Sequence, residues 1–342
     1  MRANGINYDT GFLNAGATTR ETFDPNTVRR EMQIIRDDLH CTAVRITGGD
    51  VERLKLAASH AADAGLEVWL CPFTNDLTQD ALLALLADCA DHAETLRRSG
   101  ANVVILTGSE LSMCTLGFLP GNTINERLAL LTDPLRLRPL IGDMRARLND
   151  FLRRAVEVVR ARFGGQVSYA SLPFEAVDWA PFDIIASDAV YRSAVSAERY
   201  PELIRAFVAQ GRAQGKPVAA TEFGCKTFRG AARDARDIHS LVVWGETGRP
   251  LRLNGDYQRD EAEQATDLRE TLAVLESEGV DAAFVYTFAR YDLPHRDDPQ
   301  LDLDVVSCGV VEVLEQRRGT RYAGMSWEPK AAFDAVAEFY GR

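Results

Sequence analysis

Residues 103–111 read VVILTGSEL and residues 217–224 read PVAATEFG. Each is a short apolar run that stops at a glutamate, Glu110 or Glu222, and then passes into a loop. Runs of this length, bounded by turn residues, fit strands buried on both faces of a parallel sheet. Six further runs of the same kind are Gly5–Tyr8, Ala43–Ile46, Glu67–Pro72, Val167–Ala170, Ile184–Ser187 and Ala283–Thr287. With Val103–Thr107 and Val218–Thr221 they make eight candidate strands. Helical periodicity fills most of the intervals. Asp24-Pro25 opens VRREMQIIRDDL with a cap and a first-turn proline, and Asp50 caps VERLKLAASHAADAG, which closes at Gly65. The pattern predicts further helices over Thr78–Arg98, Ile141–Phe163, Ala197–Gln214, Arg259–Glu278 and Lys330–Tyr340. One interval departs: Pro173–Phe182 leaves little room for a helix between strands five and six. Strand alternating with helix predicts an α/β fold, a single (β/α)8 barrel of the TIM type over residues 1–342.

In such a barrel all strands deliver their C-terminal ends to one mouth, where the chemistry sits. Glu110 and Glu222, 112 positions apart in sequence, are therefore expected to face each other over one pocket. Three connections are longer than usual: Ser109–Pro139 after strand four, Gly224–Asp256 after strand seven and Phe288–Trp327 after strand eight. All three are expected to rise from that mouth and wall it.

Composition narrows the partners. The chain is 46% hydrophobic and 26% charged, enough apolar material for a large core and too much for disorder. A net charge of −11, without a basic cluster, argues against nucleic acid. The first residues lack the basic and apolar blocks of an export signal, and no apolar run is long enough to span a membrane. Six cysteines are scattered without a CxxC pair and read as reduced thiols, so the cytoplasm is the expected location.

The TEFG segment and the glutamate after strand four carry a resemblance. The chain resembles the clan A glycoside hydrolases, (β/α)8 barrels that place an acid/base Glu after strand four and a nucleophilic Glu after strand seven. The resemblance runs from NGINYDTGF to AAFVYTF and is carried by short pieces, ATEFG being the most specific. It implies that Glu222 attacks the anomeric carbon while Glu110 protonates the leaving oxygen and later activates water. Retention of configuration by that route needs the two carboxyl groups only about 5 to 5.5 Å apart. Arg45, in AVRITGG at the end of strand two, matches an Arg that family members commonly carry. Beside Glu222 it is expected to lower that carboxyl's pKa and keep it ionised; an alternative is pairing with another acidic side chain of the wall. Tyr191, in SDAVYR, stands where related enzymes often hold a Tyr that hydrogen-bonds the nucleophile; a core Tyr is the competing account. Two positions depart from the pattern. Ser109 replaces the usual Asn that contacts the sugar 2-hydroxyl, and Cys71-Pro72 stand where many relatives carry His. The segment from EFGCKTFRGAA through DEAEQ to YDLPH also resembles bacterial barrel proteins labelled abortive-infection proteins, a label that assigns no chemistry.

Asp9, Glu175 and Asp188 follow strands one, five and six, and each can either accept hydrogen bonds from sugar hydroxyls or pair within the rim. Trp244, Phe288, Tyr291 and His295 lie in the long loops, where aromatic faces suit sugar rings and also suit loop packing. The five histidines show no HxH or HExxH spacing and no GxGxxG or P-loop occurs, so no metal and no nucleotide cofactor is expected. Cys71, Cys114 and Cys225 lie near strand ends without an evident His partner, which fits inert buried thiols.

Two readings follow. One is a retaining glycoside hydrolase or transglycosidase acting on a small, β-linked glycoside through two Glu. The other is a barrel repurposed as a sugar-binding or interaction protein, or as an acid–base enzyme on a non-glycoside.

Overall fold

The computed structural model describes residues 1–14, 16–193, 196–234, 236 and 238–342. At its centre eight strands close into an all-parallel barrel: β1 (Ala3–Asp9), β2 (Ala43–Gly48), β3 (Glu67–Pro72), β4 (Val103–Ser109), β5 (Gln166–Ser171), β6 (Ile185–Ser187), β7 (Val218–Phe223) and β8 (Ala282–Val285). Neighbours in sequence are neighbours in space, and β8 closes on β1 with Ala3 opposite Ala282 and Ile6 opposite Val285. The barrel expected from the alternation is the barrel observed. One strand stops early: the β8 ladder ends at Val285 rather than Thr287. There the Tyr286 amide bonds Phe223 O at 2.7 Å, and Thr287 turns its amide to Cys308 O at 3.2 Å.

The helices around it are α1 (Pro25–Asp37), α2 (Val51–Asp63), α3 (Gln79–Arg98), α4 (Ile141–Arg160), α5 (Tyr200–Ala213), α6 (Glu261–Glu278) and α7 (Ala331–Tyr340). Their starts follow capping chemistry. The Asp24 carboxylate accepts from Thr27 N at 2.7 Å, and that of Asp50 accepts from Glu52 N and Arg53 N at 3.0 and 3.1 Å, filling amides a helix start leaves open. Between β5 and β6 the connection holds only a 3-10 turn, Pro173–Glu175. The ring therefore lacks a helix between α4 and α5.

Inside the barrel, Trp69 of β3 meets Phe284 of β8 at 4.8 Å between ring centroids, and this contact crosses the interior. Gly5 makes room for it: a Cβ there would lie 2.3 Å from a Phe284 ring carbon. Above this apolar layer the interior turns polar, with Asn7, Arg45 and Asp188 all buried. A change from apolar to charged filling marks the mouth end. The long loops carry their own structure. A hairpin pairs Val242–Trp244 with Pro250–Leu253, and a small apolar cluster of Cys225, Phe228, Leu241, Leu253 and Leu293 sits beneath it. No helix among the described residues is long and apolar enough to cross a membrane.

Candidate active site

Glu110 is presented by a distorted strand end. The β4–β5 register slips between Leu106 and Ser109, and Gly108 takes φ +128°, where a Cβ would meet the Leu111 side chain at 2.7 Å. Glu110 itself is left-handed, at φ 48° and ψ 35°. A non-glycine residue pays roughly 1–2 kcal/mol for that conformation, and such outliers gather at functional sites. The surroundings hold it there. Its amide bonds Ala170 O at 3.0 Å and its carbonyl accepts from Met113 N and Cys114 N, both 3.0 Å. Tyr169 Oη accepts from Leu111 N at 2.9 Å, and Glu175 accepts from Ser112 N at 3.1 Å.

The Glu110 side chain is half-buried and makes no hydrogen bond among the described residues. Burial raises its pKa well above the carboxylate range, and the charges of Glu222, Asp188 and Glu175 push the same way against Arg45.

Glu222 lies at the end of β7, its side chain 18% exposed, and its charge acts on Glu110. Arg45 Nη1 donates to Glu222 Oε1 at 3.1 Å, and Tyr191 Oη donates to Glu222 Oε2 at 3.2 Å. The same Nη1 lies 3.1 Å from Asp188 Oδ1 and from Asn7 Oδ1, while Nη2 reaches Asp188 Oδ2 at 3.2 Å. Ser109 donates to that second Asp188 oxygen. The sequence placed Arg45 and Tyr191 on Glu222, and both contacts are present. The expected net effect is not. Burial and then Asp188 raise the Glu222 pKa to about 8, and the contacts with Arg45 and Tyr191 lower it without cancelling that rise. One guanidinium shared by two carboxylates does not neutralise both.

Other expected site residues lie elsewhere in the network. Glu175 is fully buried, accepting from Tyr169 Oη and from Leu172 N at 2.8 Å, and burial raises it to about 7. It braces the turn behind Glu110 rather than facing solvent. Asp188 is likewise 1% exposed and committed to Arg45 and Ser109. Phe288 is core, 1% exposed and packed on Trp327 at 5.2 Å. Tyr291 places its ring under Arg20 at 4.1 Å and donates its hydroxyl to Glu31. Trp244 bonds His239 O at 3.3 Å and packs with the loop cluster, and His295 pairs with Asp302 at 3.0 Å. Among the described residues none of these four hydrogen-bonds Glu110 or Glu222. Asp9 closes the β1 loop, accepting from Gly11 N at 2.8 Å and Thr19 Oγ1 at 2.5 Å.

Sequence reasoning missed a second polar group at the β1–β8 side. Arg290 is clasped by Asp292 through bonds of 2.8 and 2.7 Å and reaches the Tyr286 hydroxyl at 3.4 Å. Burial raises the Tyr286 phenol, and among the neighbouring charges Glu222, Asp9 and Asp292 add to that rise. The only signal in the sequence was their closeness to the strand-eight end in VYTFARYD. A polar cavity of about 700 Å³ adjoins this side, lined by Thr18, Arg20, Tyr291 and Asp292 among others. Neither Glu110 nor Glu222 lines it, so the carboxylates and not that cavity define the candidate site.

The barrel is similar along nearly its whole length to solved carbohydrate-active barrels. The shared fold is a (β/α)8 barrel. A GH113 beta-1,4-mannanase matches with a TM-score of 0.62 at 15% identity, over 99% of this chain and 98% of that one. Fungal beta-1,4-galactanases match at 0.56 and 12% identity, over 99% of both chains. Thermotoga maritima Cel5A, solved with mannotriose, matches at 0.51 and 12% identity, over 89% of this chain and 96% of that one. No protein-family model and no curated protein matches the sequence, so the resemblance to abortive-infection proteins rests on its segments alone.

Proposed function

We propose that the protein is a retaining glycoside hydrolase of small β-linked glycosides, with Glu222 as nucleophile and Glu110 as acid/base. One observation carries this: Glu110, whose side chain makes no hydrogen bond among the described residues, lies within reach of the charge of Glu222, whose two oxygens are oriented by Arg45 and Tyr191. In the first step a Glu222 oxygen bonds the anomeric carbon as the glycosidic C–O bond breaks, and the Glu110 proton passes to the departing oxygen. In the second step Glu110, now ionised, takes a proton from water, whose oxygen displaces Glu222. Arg45 and Tyr191 then stabilise the carboxylate as it leaves.

The test is a panel of aryl glycosides on wild type, Glu222→Ala and Glu110→Ala. Both variants should lose most turnover, and azide should partly rescue Glu110→Ala, giving a β-configured azide from a β-glycoside. Activity that survives Glu222→Ala refutes the nucleophile. A second reading, acid–base chemistry on a non-glycoside, draws on one observation: the Ser109 hydroxyl is directed at Asp188, away from the sugar contact that the family's Asn makes. Turnover of any glycoside with retention removes it.

A further inference from the structure

The loop that carries Tyr191 is held from its flanks. β6 ends at Ser187, and residues 188–193 form neither strand nor helix. Among the described residues the backbone of Tyr191 and of Arg192 makes no hydrogen bond. Yet Tyr191, 37% exposed, directs its hydroxyl at Glu222 Oε2. A ring that open has little packing of its own to fix it, so its neighbours in the chain must. On one side the hydroxyl of buried Tyr200, the first residue of α5, donates to Val190 O at 2.8 Å. On the other, Arg192 Nη1 donates to Asp267 Oδ1 at 3.3 Å and also to Glu270, both on α6.

This ion pair differs from an ordinary surface contact, which is worth little. The Asp267 side chain is 4% exposed and that of Arg192 27%. Residues three apart share a helix face, so one guanidinium nitrogen meets both carboxylates. Burial raises Asp267 to about 6 against the pull of Arg192, and the charges of Glu270 and Glu263 add to the rise. Asp267 is therefore ionised in the range around 8 where Glu222 titrates. Without Arg192 it would be a buried carboxylate lacking its cation, which is costly. α6 packs on both α5 and α7, so it is a fixed reference for the loop.

We infer that Arg192 is a positioning residue: it ties the β6 loop to α6 so that the Tyr191 hydroxyl reaches Glu222. Its effect on turnover rests on the hydrolase reading above. The experiment measures kcat and the acid limb of kcat/KM on an aryl glycoside in wild type, in Arg192→Met and in the double variant Asp267→Asn, Glu270→Gln. The two changes remove charges of opposite sign, so a field effect alone would move the limb in opposite directions. Loss of the anchor moves it the same way in both. With the Tyr191 bond gone, Glu222 holds its proton more tightly. The limb should then rise by roughly 0.7 pH unit in each, and kcat should fall about fivefold, the changes to which the net worth of one hydrogen bond converts. Arg192→Lys should recover part of both losses, and in a Tyr191→Phe background Arg192→Met should add nothing. Limbs that shift in opposite directions overturn the inference. So does a limb that stays in place while the melting temperature falls, or a further loss in the Tyr191→Phe background. Turnover of no glycoside sinks the hydrolase reading, and the anchor is then decided without substrate. A carbon-13 titration of the Glu222 carboxyl, identified by its absence in Glu222→Gln, should show the same rise in Arg192→Met, and an unmoved titration overturns the anchor.

Discussion

Asp188→Asn should move the whole pH–activity profile toward acid. Asp188 and Glu222 both accept from Nη1 of Arg45, at 3.1 Å each. Their oxygens are therefore no more than about 6 Å apart, where two unit charges repel by roughly 3 kcal/mol at an effective dielectric near 20, or about 2 pH units. Asn keeps the shape and still offers an oxygen to Arg45 while removing the charge. After burial, Asp188 is the main cause lifting Glu222 to about 8, and it also lifts Glu110. The acid limb of kcat/KM, which reports the free enzyme, should fall from about 8 in wild type toward about 6, and the alkaline limb should follow it down. An aryl glycoside assayed from pH 5 to 10 in both proteins, with melting temperatures as a folding control, measures this. Limbs that stay in place, or move to higher pH, refute the claim that Asp188 sets the charge of the dyad.

Other outcomes follow from the same geometry. Tyr191→Phe removes one of two donors to Glu222 and should cut kcat about tenfold or more with the fold intact, read by steady-state kinetics. Glu110→Gly should melt higher than Glu110→Ala by the equivalent of about 1 kcal/mol, because only glycine is at ease at φ 48°; equal melting temperatures would deny the strain. Glu222 holds its proton to about pH 8 when folded and only to its ordinary value when unfolded, so between roughly pH 4.5 and 8 the native state binds more protons and stability falls as pH rises. Glu222→Gln should flatten that decline in denaturant titrations at pH 5, 7 and 9.

Much of this was legible in the sequence. Strand and helix positions follow from burial, and burial writes itself as apolar runs and periodic stripes; the Asp24 and Asp50 caps are local chemistry and were read correctly. The contacts of Arg45 and Tyr191 with Glu222 were also foreseen. What could not be read is where charge accumulates. Nothing in SDAVYR says that Asp188 turns inward to take half of Arg45, and with the burial of Glu222 itself that choice reverses the expected pKa shift. Phe288 packs on Tyr8 and Trp327, ring contacts between distant parts of the chain that a reading of VYTFARYD cannot show. Glu175 looked like a loop carboxylate, yet it closes a turn by bonding Leu172 N three residues back, a contact visible only once the 3-10 turn is formed.

The reversed pKa also explains why a site built on acids would be effective. Among the described residues Arg45 is the one cation paired with both Asp188 and Glu222, so an ionised Glu222 is disfavoured by burial and by its neighbour. The charge missing from that balance is positive, and under the proposed hydrolase function it is the charge that would develop on a sugar ring as the glycosidic bond breaks. Groups fixed in place before the reaction stabilise only what they are complementary to, and here the deficit matches the transition state better than a neutral substrate. A second buried cation beside Asp188 would hold Glu222 ionised at rest and would weaken that preference. On this argument, substituting Ser109 by Lys should lower the acid limb of the pH profile as Asp188→Asn does, yet reduce the maximal rate, because the positive charge would already be supplied before the bond begins to break.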